Sequence, residues 1–314
     1  MRRLALLTLV LSLSALAQES NRIDLVGAEI FGVDDAHSHL GFSIGFLGMT
    51  KVHGTFRSYR ASILYDDAHP ERSSVTVIID PASIDTGEES RDKDLQGELF
   101  FDSAKHPKIV FRSTSIAHVR GDDYLMRGEL TMKGVTRAIE IPMTRTVRRG
   151  ADSAWGNIRI GGAGRTTLRR KDFNITGTKF WGDAVLSDEV TVEIDLLGNR
   201  PNYDRWSLEP AAQALWESAA APAKYRGLPA GQLNIVIQRL MQRRRFADAL
   251  ELLAIARDAF PAEPGFYARS GEAYASLGQR DEAVRMYGKA LELRADYAEA
   301  MEMLGRLRGH AVTR

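Results

Sequence analysis

His39-Leu40-Gly41-Phe42-Ser43-Ile44-Gly45-Phe46 decides the fold of the first half of the chain. Every second residue is large and apolar, and those between are small or polar. Side chains alternate faces along an extended strand, so Leu40, Phe42, Ile44 and Phe46 share one face. The same period of two returns at Val75, Val77 and Ile79, and at Met126, Gly128, Leu130 and Met132. It returns again at Ile139, Ile141 and Met143, and at Val190, Val192, Ile194 and Leu196. Turn formers separate the runs: Gly48, Asp66-Asp67, Gly121-Asp122-Asp123, Lys133-Gly134, Arg149-Gly150 and Gly161-Gly162. Short connections of this kind join antiparallel neighbours. The pattern predicts about eight strands between residues 27 and 198, closed as an up-and-down barrel with no free edge. One connection, Thr86 to Ala104, is long and charged and predicts a short helix or ordered loop closing one barrel end. A barrel of eight strands has an interior just wide enough for side chains or one slender ligand.

The chain has 314 residues, 44% apolar and 26% charged, which are globular proportions for two domains. Lys plus Arg is 42 and Asp plus Glu is 41, a balance that argues against nucleic acid as partner. Arg2-Arg3, the apolar run Leu4 to Leu16 and the small residues of Ala15-Leu16-Ala17 read as a signal peptide, residues 1–17, cleaved after Ala17. The expected compartment is therefore the periplasm. Without cysteine, disulfides, thiol nucleophiles and Cys-bound zinc are excluded.

Beyond Gly198-Asn199-Arg200-Pro201-Asn202 the composition turns to Ala, Leu, Glu and Arg. Residues 199–228, interrupted by Pro210 and Pro222, read as a linker with a short helix. Residues 229–310 repeat at a spacing of 34: Ala249 and Ala283, Ala256 and Ala290, Gly271 and Gly305. This spacing resembles the tetratricopeptide repeat, in which small residues let paired helices approach and large ones such as Tyr274 and Tyr287 fill the holes. One degenerate repeat is expected over 229–262, a clear one over 263–296, and a capping helix over 297–308. A chance-matched helical hairpin is the plainer alternative.

A series of short strings in the first half, taken in order, resembles the YceI-like family of exported lipocalin-like proteins. Asp34, His37 and Ser38 match its opening strand, and Gly54-Thr55-Phe56 its second. Ser83-Ile84-Asp85-Thr86-Gly87 with Arg91-Asp92 and Leu95 is the most specific element. Phe100-Phe101-Asp102, His106-Pro107, Phe111, Ser113-Thr114, Gly128, Leu130-Thr131 and Gly134-Val135-Thr136-Arg137 complete it. The chain departs from the pattern at Gly161-Gly162-Ala163-Gly164 and Arg169-Arg170-Lys171-Asp172-Phe173, and in its appended helices. The resemblance implies an antiparallel barrel whose apolar interior holds an isoprenoid or quinone-like amphiphile.

On that footing the expected ligand-lining residues are Leu40, Phe42, Ile44, Phe46, Val75, Val77, Ile79, Phe111, Leu130, Met132, Ile141 and Val192. The same residues would line a solid barrel, because periodicity does not distinguish packed from hollow. Asp85, Arg91 and Asp92 are placed at the pocket mouth, where they either order the loop or meet a polar head group. His37, His39 and His53 are weighed as a metal site and set below ordinary strand and surface histidines. No Gly-x-Ser-x-Gly turn or other nucleophile–base string marks an enzyme. The expected protein is a non-enzymatic, cofactor-free periplasmic lipid binder whose helical repeats dock a partner protein or peptide. Transient membrane-surface contact through Arg148-Arg149, Arg169-Arg170-Lys171 or Arg243-Arg244-Arg245, and a homodimer, are open alternatives. The competing reading is a scaffold with a solid barrel, in which the repeats are the working part.

Overall fold

Strands form where the alternation predicts them, because only an extended chain puts the apolar members on one face. The computed structural model describes residues 28–177 and 185–309. Two compact units divide the chain, one ending at Asn202 and the other beginning at Tyr203. The expected signal peptide lies outside the described residues.

The first unit contains β1 (Glu29–Val33), β2 (His39–Phe46), β3 (Thr50–Phe56), β4 (Tyr59–Tyr65), β5 (Ser74–Ile79), β6 (Ile84–Asp85), β7 (Ile109–Arg120), β8 (Asp123–Met132), β9 (Val135–Ala151), β10 (Ile158–Arg169) and β11 (Leu186–Arg200). Three pairs of these are halves of one long strand. A 3-10 turn, Asp35–His37, interrupts β1 and β2; Arg57-Ser58 bends β3 into β4; a second 3-10 turn, Pro81–Ser83, parts β5 from β6. Taken as single strands they give eight, each antiparallel to its sequence neighbours. The ring closes because β11 pairs with both halves of the first strand, Asn199 with Gly32 and Ile194 with Leu40. The fold is thus a closed eight-stranded antiparallel barrel, and closure removes the edges.

Asp34, His37 and Ser38, expected on the opening strand, instead form the 3-10 break. His37 and His39 therefore do not share a strand face. The long connection after β6 carries α1 (Glu89–Gln96), capped by the Glu88 carboxylate, which accepts from the Ser90 and Arg91 amides. One barrel end holds α1, the β2–β3 turn and the 3-10 turn Arg170–Phe173 that follows β10. The other holds the β4–β5, β7–β8 and β9–β10 loops.

In the second unit, α2 (Pro210–Glu217) falls within the expected linker, and α3 (Ala230–Gln242), α4 (Phe246–Ala259), α5 (Pro264–Ser276), α6 (Arg280–Leu293) and α7 (Ala298–Gly309) follow, each of these five packing on the next. Ala249, Ala256, Ala283 and Ala290, the residues spaced by 34, are all fully buried. Small side chains at these positions let the helices come close.

Candidate functional site

The barrel interior holds two adjoining apolar chambers, of about 210 Å³ and about 430 Å³. Five side chains line both: Leu40 on β2, Ile79 on β5, Leu130 on β8, Leu168 on β10 and Val192 on β11. Together they form a waist between the compartments. The smaller chamber extends through Val75, Val77, Phe111, Met126, Ile141 and Met143 toward Tyr65, Tyr124 and Arg145. The larger extends through Phe42, Ile44, Phe56, Phe101, Met132 and Leu186 toward Arg91 and Arg170. Space of this kind stays dry and takes an apolar guest.

All twelve residues expected to line the interior stand on these walls. Leu40, Ile79, Leu130 and Val192 are at the waist. Val75, Val77, Phe111 and Ile141 face the smaller chamber, and Phe42, Ile44, Phe46 and Met132 the larger. Strand periodicity misses Leu168, because the glycines before it break the alternation of β10. Phe100 and Phe101 enter the sequence reading only through the family resemblance, yet both border the larger chamber, with Phe101 edge-on to Phe56 at 5.7 Å. The glycines expected as rim turns, Gly161 and Gly162, lie within β10 and line the smaller chamber.

At the α1 end, Arg91 lines the larger chamber, but Asp85 and Asp92 lie off its walls. Their carboxylates are turned into the loop. Asp92 Oδ1 accepts from the Thr86 amide (2.9 Å) and hydroxyl (2.5 Å), and Asp85 Oδ1 accepts from the Gly87 amide (2.8 Å). The Gly87 amide, helped by Arg57, holds the Asp85 carboxyl below the usual range. Arg91 Nε donates to Thr86 Oγ1 (2.7 Å) and Nη2 to the Thr86 carbonyl (2.9 Å). Its first task is thus to order the loop. We expect Arg91→Ala to lower barrel stability by about 1.5–3 kcal/mol, the usual worth of hydrogen bonds to a charged group. Urea unfolding followed by tryptophan fluorescence checks this, and an unchanged midpoint would remove the structural role. Arg170 is buried on the same chamber, its guanidinium donating to the carbonyls of Ser187 (2.9 Å), Ile175 (2.8 Å) and Leu186 (3.2 Å). Lys133 Nζ, its pKa lowered by burial, ties the carbonyls of Glu98 (2.6 Å) and Asn174 (2.8 Å) together.

The opposite end is a closed polar network. Arg145 donates to Asp122 Oδ1 (2.8 Å from Nη2), to Asp67 Oδ1 (3.0 Å) and to the Tyr65 hydroxyl (3.3 Å). Its guanidinium also lies over the Tyr124 ring at 5.6 Å. Hydrogen bonding from Arg145, joined by Arg148, holds the Asp122 carboxyl below its ordinary range. Burial alone would raise Asp34, but bonds from His37 and Arg159 outweigh it and lower the carboxyl. A carboxyl whose folded pKa is depressed contributes stability fully above its unfolded value of about 3.9, and loses it as pH falls through the folded value. The melting temperature of the barrel is therefore expected to fall steeply below about pH 4. The deficit caused by Arg145→Gln should be full at neutral pH and shrink in that acid range. A deficit independent of pH, followed by near-UV circular dichroism, would refute the network's role.

Residues 31–197 match the family model described as YceI-like domain, which is more than half of the chain. The chain belongs to the YceI-like family. Its YceI-like domain is 34% identical over 168 residues to a UPF0312 protein of Pectobacterium atrosepticum, covering 53% of this chain and 86% of that one. A UPF0312 protein of Azotobacter vinelandii is 37% identical over 164 residues, covering 52% and 82%. Among solved structures, Burkholderia cenocepacia BcnA is similar at 26% identity and a TM-score of 0.48, over 52% of this chain and 98% of that one. A domain of Saccharophagus degradans described as polyisoprenoid binding is similar at 16% identity and a TM-score of 0.41, over 55% and 98%.

Outside the chambers, the YceI-like domain spends its other singled-out residues on structure. His37 Nδ1 is 3.0 Å from Asp34 Oδ1, while His39 and His53 are exposed on β2 and β3. Among the described residues no three metal-binding side chains converge. Arg148 pairs with Asp122 (2.8 Å), Arg149 with Glu29, and Arg169 with Asp188 (2.9 Å). In the helical unit, Arg243 pairs with Asp204 (2.9 Å) and lies over Trp216, Arg244 lies over Phe246, and Arg245 pairs with Asp248 (2.7 Å). The arginine runs are thus largely neutralised in place. Arg239, also over Trp216, donates to the carbonyls of Tyr203 (3.1 Å) and Trp206 (2.8 Å) and clips the start of the unit onto α3.

Proposed function

We propose that the YceI-like domain holds a single long apolar chain, of isoprenoid or quinone type, threaded through both chambers. The observation that carries this reading is the waist: five side chains from five strands line both compartments, so one slender guest can occupy both. The apolar walls match such a chain. The chemistry of the two ends suggests its direction. Arg145 is already engaged by two carboxylates, whereas Arg91 borders the larger chamber with its guanidinium bonded to the hydroxyl and carbonyl of Thr86. A polar or anionic head group is best accommodated there. The chambers favour this reading over a solid scaffold barrel.

We further propose export to the periplasm, on the basic and apolar N-terminal stretch, and partner docking by the helical unit, on its stacked helices. The test is native mass spectrometry of the full chain purified from a quinone-making host, followed by solvent extraction. A retained long-chain lipid in stoichiometric amount is the expected result. Protein that carries no lipid and takes up none from added isoprenoids would overturn the reading.

A further inference from the structure

We propose that the β2–β3 turn, Leu47-Gly48-Met49, inserts into a lipid bilayer and seats the larger chamber against the membrane surface. The proposal draws its purpose from the lipid-holding reading, but its test does not depend on that reading.

The turn is a poor place for apolar side chains on two counts. Leu47 is 47% exposed and Met49 87%, the highest exposure of any large hydrophobic side chain among the described residues. Leu47 also takes a φ of +55° and Gly48 one of +68°, with the Met49 amide donating to the Phe46 carbonyl at 3.1 Å. Two consecutive positive φ values favour Asn, Asp or Gly, and a leucine at the first is unfavourable. Neither solvation nor backbone conformation explains the side chains chosen.

The surroundings supply the explanation. Phe46, directly before the turn, lines the larger chamber, as do Val185 and Leu186 on the facing strand. The Leu47 amide donates to the Val185 carbonyl at 2.8 Å, so the tip is fixed to that wall. Apolar surface therefore runs from the chamber lining to the exposed tip. Lys51, exposed on β3 two residues beyond the tip, adds a cation that anionic head groups would attract. A bilayer covers Leu47 and Met49, and it is also the phase from which an apolar chain can enter the chamber without crossing water. A second copy of the chain would cover the tip but supplies no guest.

The chain lacks cysteine, so Met49→Cys gives a single labelling site for an environment-sensitive dye. Ser153→Cys, exposed in the β9–β10 loop, is the control. With phosphatidylcholine–phosphatidylglycerol vesicles, dye emission should shift to the blue at position 49 and stay unchanged at 153. In flotation, Leu47→Asn combined with Met49→Ser should reduce vesicle-bound protein at least about fivefold, while melting temperature and any retained lipid stay as in the unsubstituted chain. Asn suits the positive φ, so this variant folds. Equal flotation of variant and unsubstituted chain, or a blue shift that grows with protein concentration without vesicles, overturns the proposal. Tip-dependent flotation by protein that holds no lipid would sink the cargo reading and leave the membrane contact standing.

Discussion

Val192→Trp is expected to abolish retention of a long-chain lipid while leaving the barrel folded. Val192 sits on β11 opposite Phe42 of β2 and Thr166 of β10, and its side chain borders both chambers. An indole placed there enters empty space before it meets a wall. The usual cost of overpacking, about 1–3 kcal/mol, is therefore offset by dispersion attraction between the indole and walls that face a void in its absence. For the guest the effect is of another size. A chain that buries on the order of 300 Å² gains roughly 7 kcal/mol at ~25 cal/mol per Å², before entropy losses. Confining it to one chamber forfeits about half of that, about 3–4 kcal/mol, or more than a hundredfold in Kd. Quantifying extracted lipid and melting temperature on the same preparation separates plugging from misfolding. Gly162→Leu is the companion variant, expected to weaken retention by taking space in the smaller chamber while leaving the waist open. A Cβ at Gly162 meets only Met143 Cε at 3.4 Å and the Thr144 carbonyl at 3.8 Å, so the side chain fills the smaller chamber alone. Full lipid retention by folded Val192→Trp would show that no chain passes the waist.

Strand alternation made the walls legible but not the space between them. Leu40, Phe42, Val77, Ile141 and Val192 declare their face through period two, since a strand that reversed them would turn its apolar side to water. Whether that face encloses a void depends on volumes contributed by several strands, which no local pattern records. Glycine illustrates this. At Gly128, an added Cβ would lie 2.5 Å from the Phe111 ring, so the glycine there admits an aromatic side chain. At Gly162 no ring intrudes, and the chamber reaches the backbone. The two read alike in sequence. The polar end was hidden for another reason: Arg145 finds Tyr65 and Asp67 across the closed ring, far away along the chain. Asp85 and Asp92 carried the charge expected at a mouth, but nearby amides claimed their oxygens first. In the helical unit, equal spacing located the close-packed alanines correctly, but it did not show that two glycines 34 residues apart have different neighbours.

That difference yields opposite outcomes at Gly271 and Gly305. A Cβ at Gly271 on α5 would stand 2.8 Å from three atoms of the Tyr287 ring, and Tyr287 on α6 is fully buried. Nothing lies within 4 Å of a Cβ at Gly305 on α7. Gly271→Leu must therefore expel the tyrosine ring or part α5 from α6, at a cost of about 3 kcal/mol or more once the gain in helix propensity is deducted. For a unit of this size each kcal/mol shifts the midpoint by roughly 4–8 °C, so the loss amounts to about 12 °C or more. Gly305→Ala meets no obstacle and should gain up to about 1 kcal/mol from propensity. Thermal melts of the full chain at the helical circular dichroism band read both changes. Pairing Gly271→Leu with Tyr287→Ala separates crowding from a backbone need for glycine. If the ring is the obstacle, the double variant loses less than the sum of the single losses, because space vacated by one side chain accepts the other. Strictly additive losses would mean that α5 needs glycine at 271 for a reason unconnected with Tyr287.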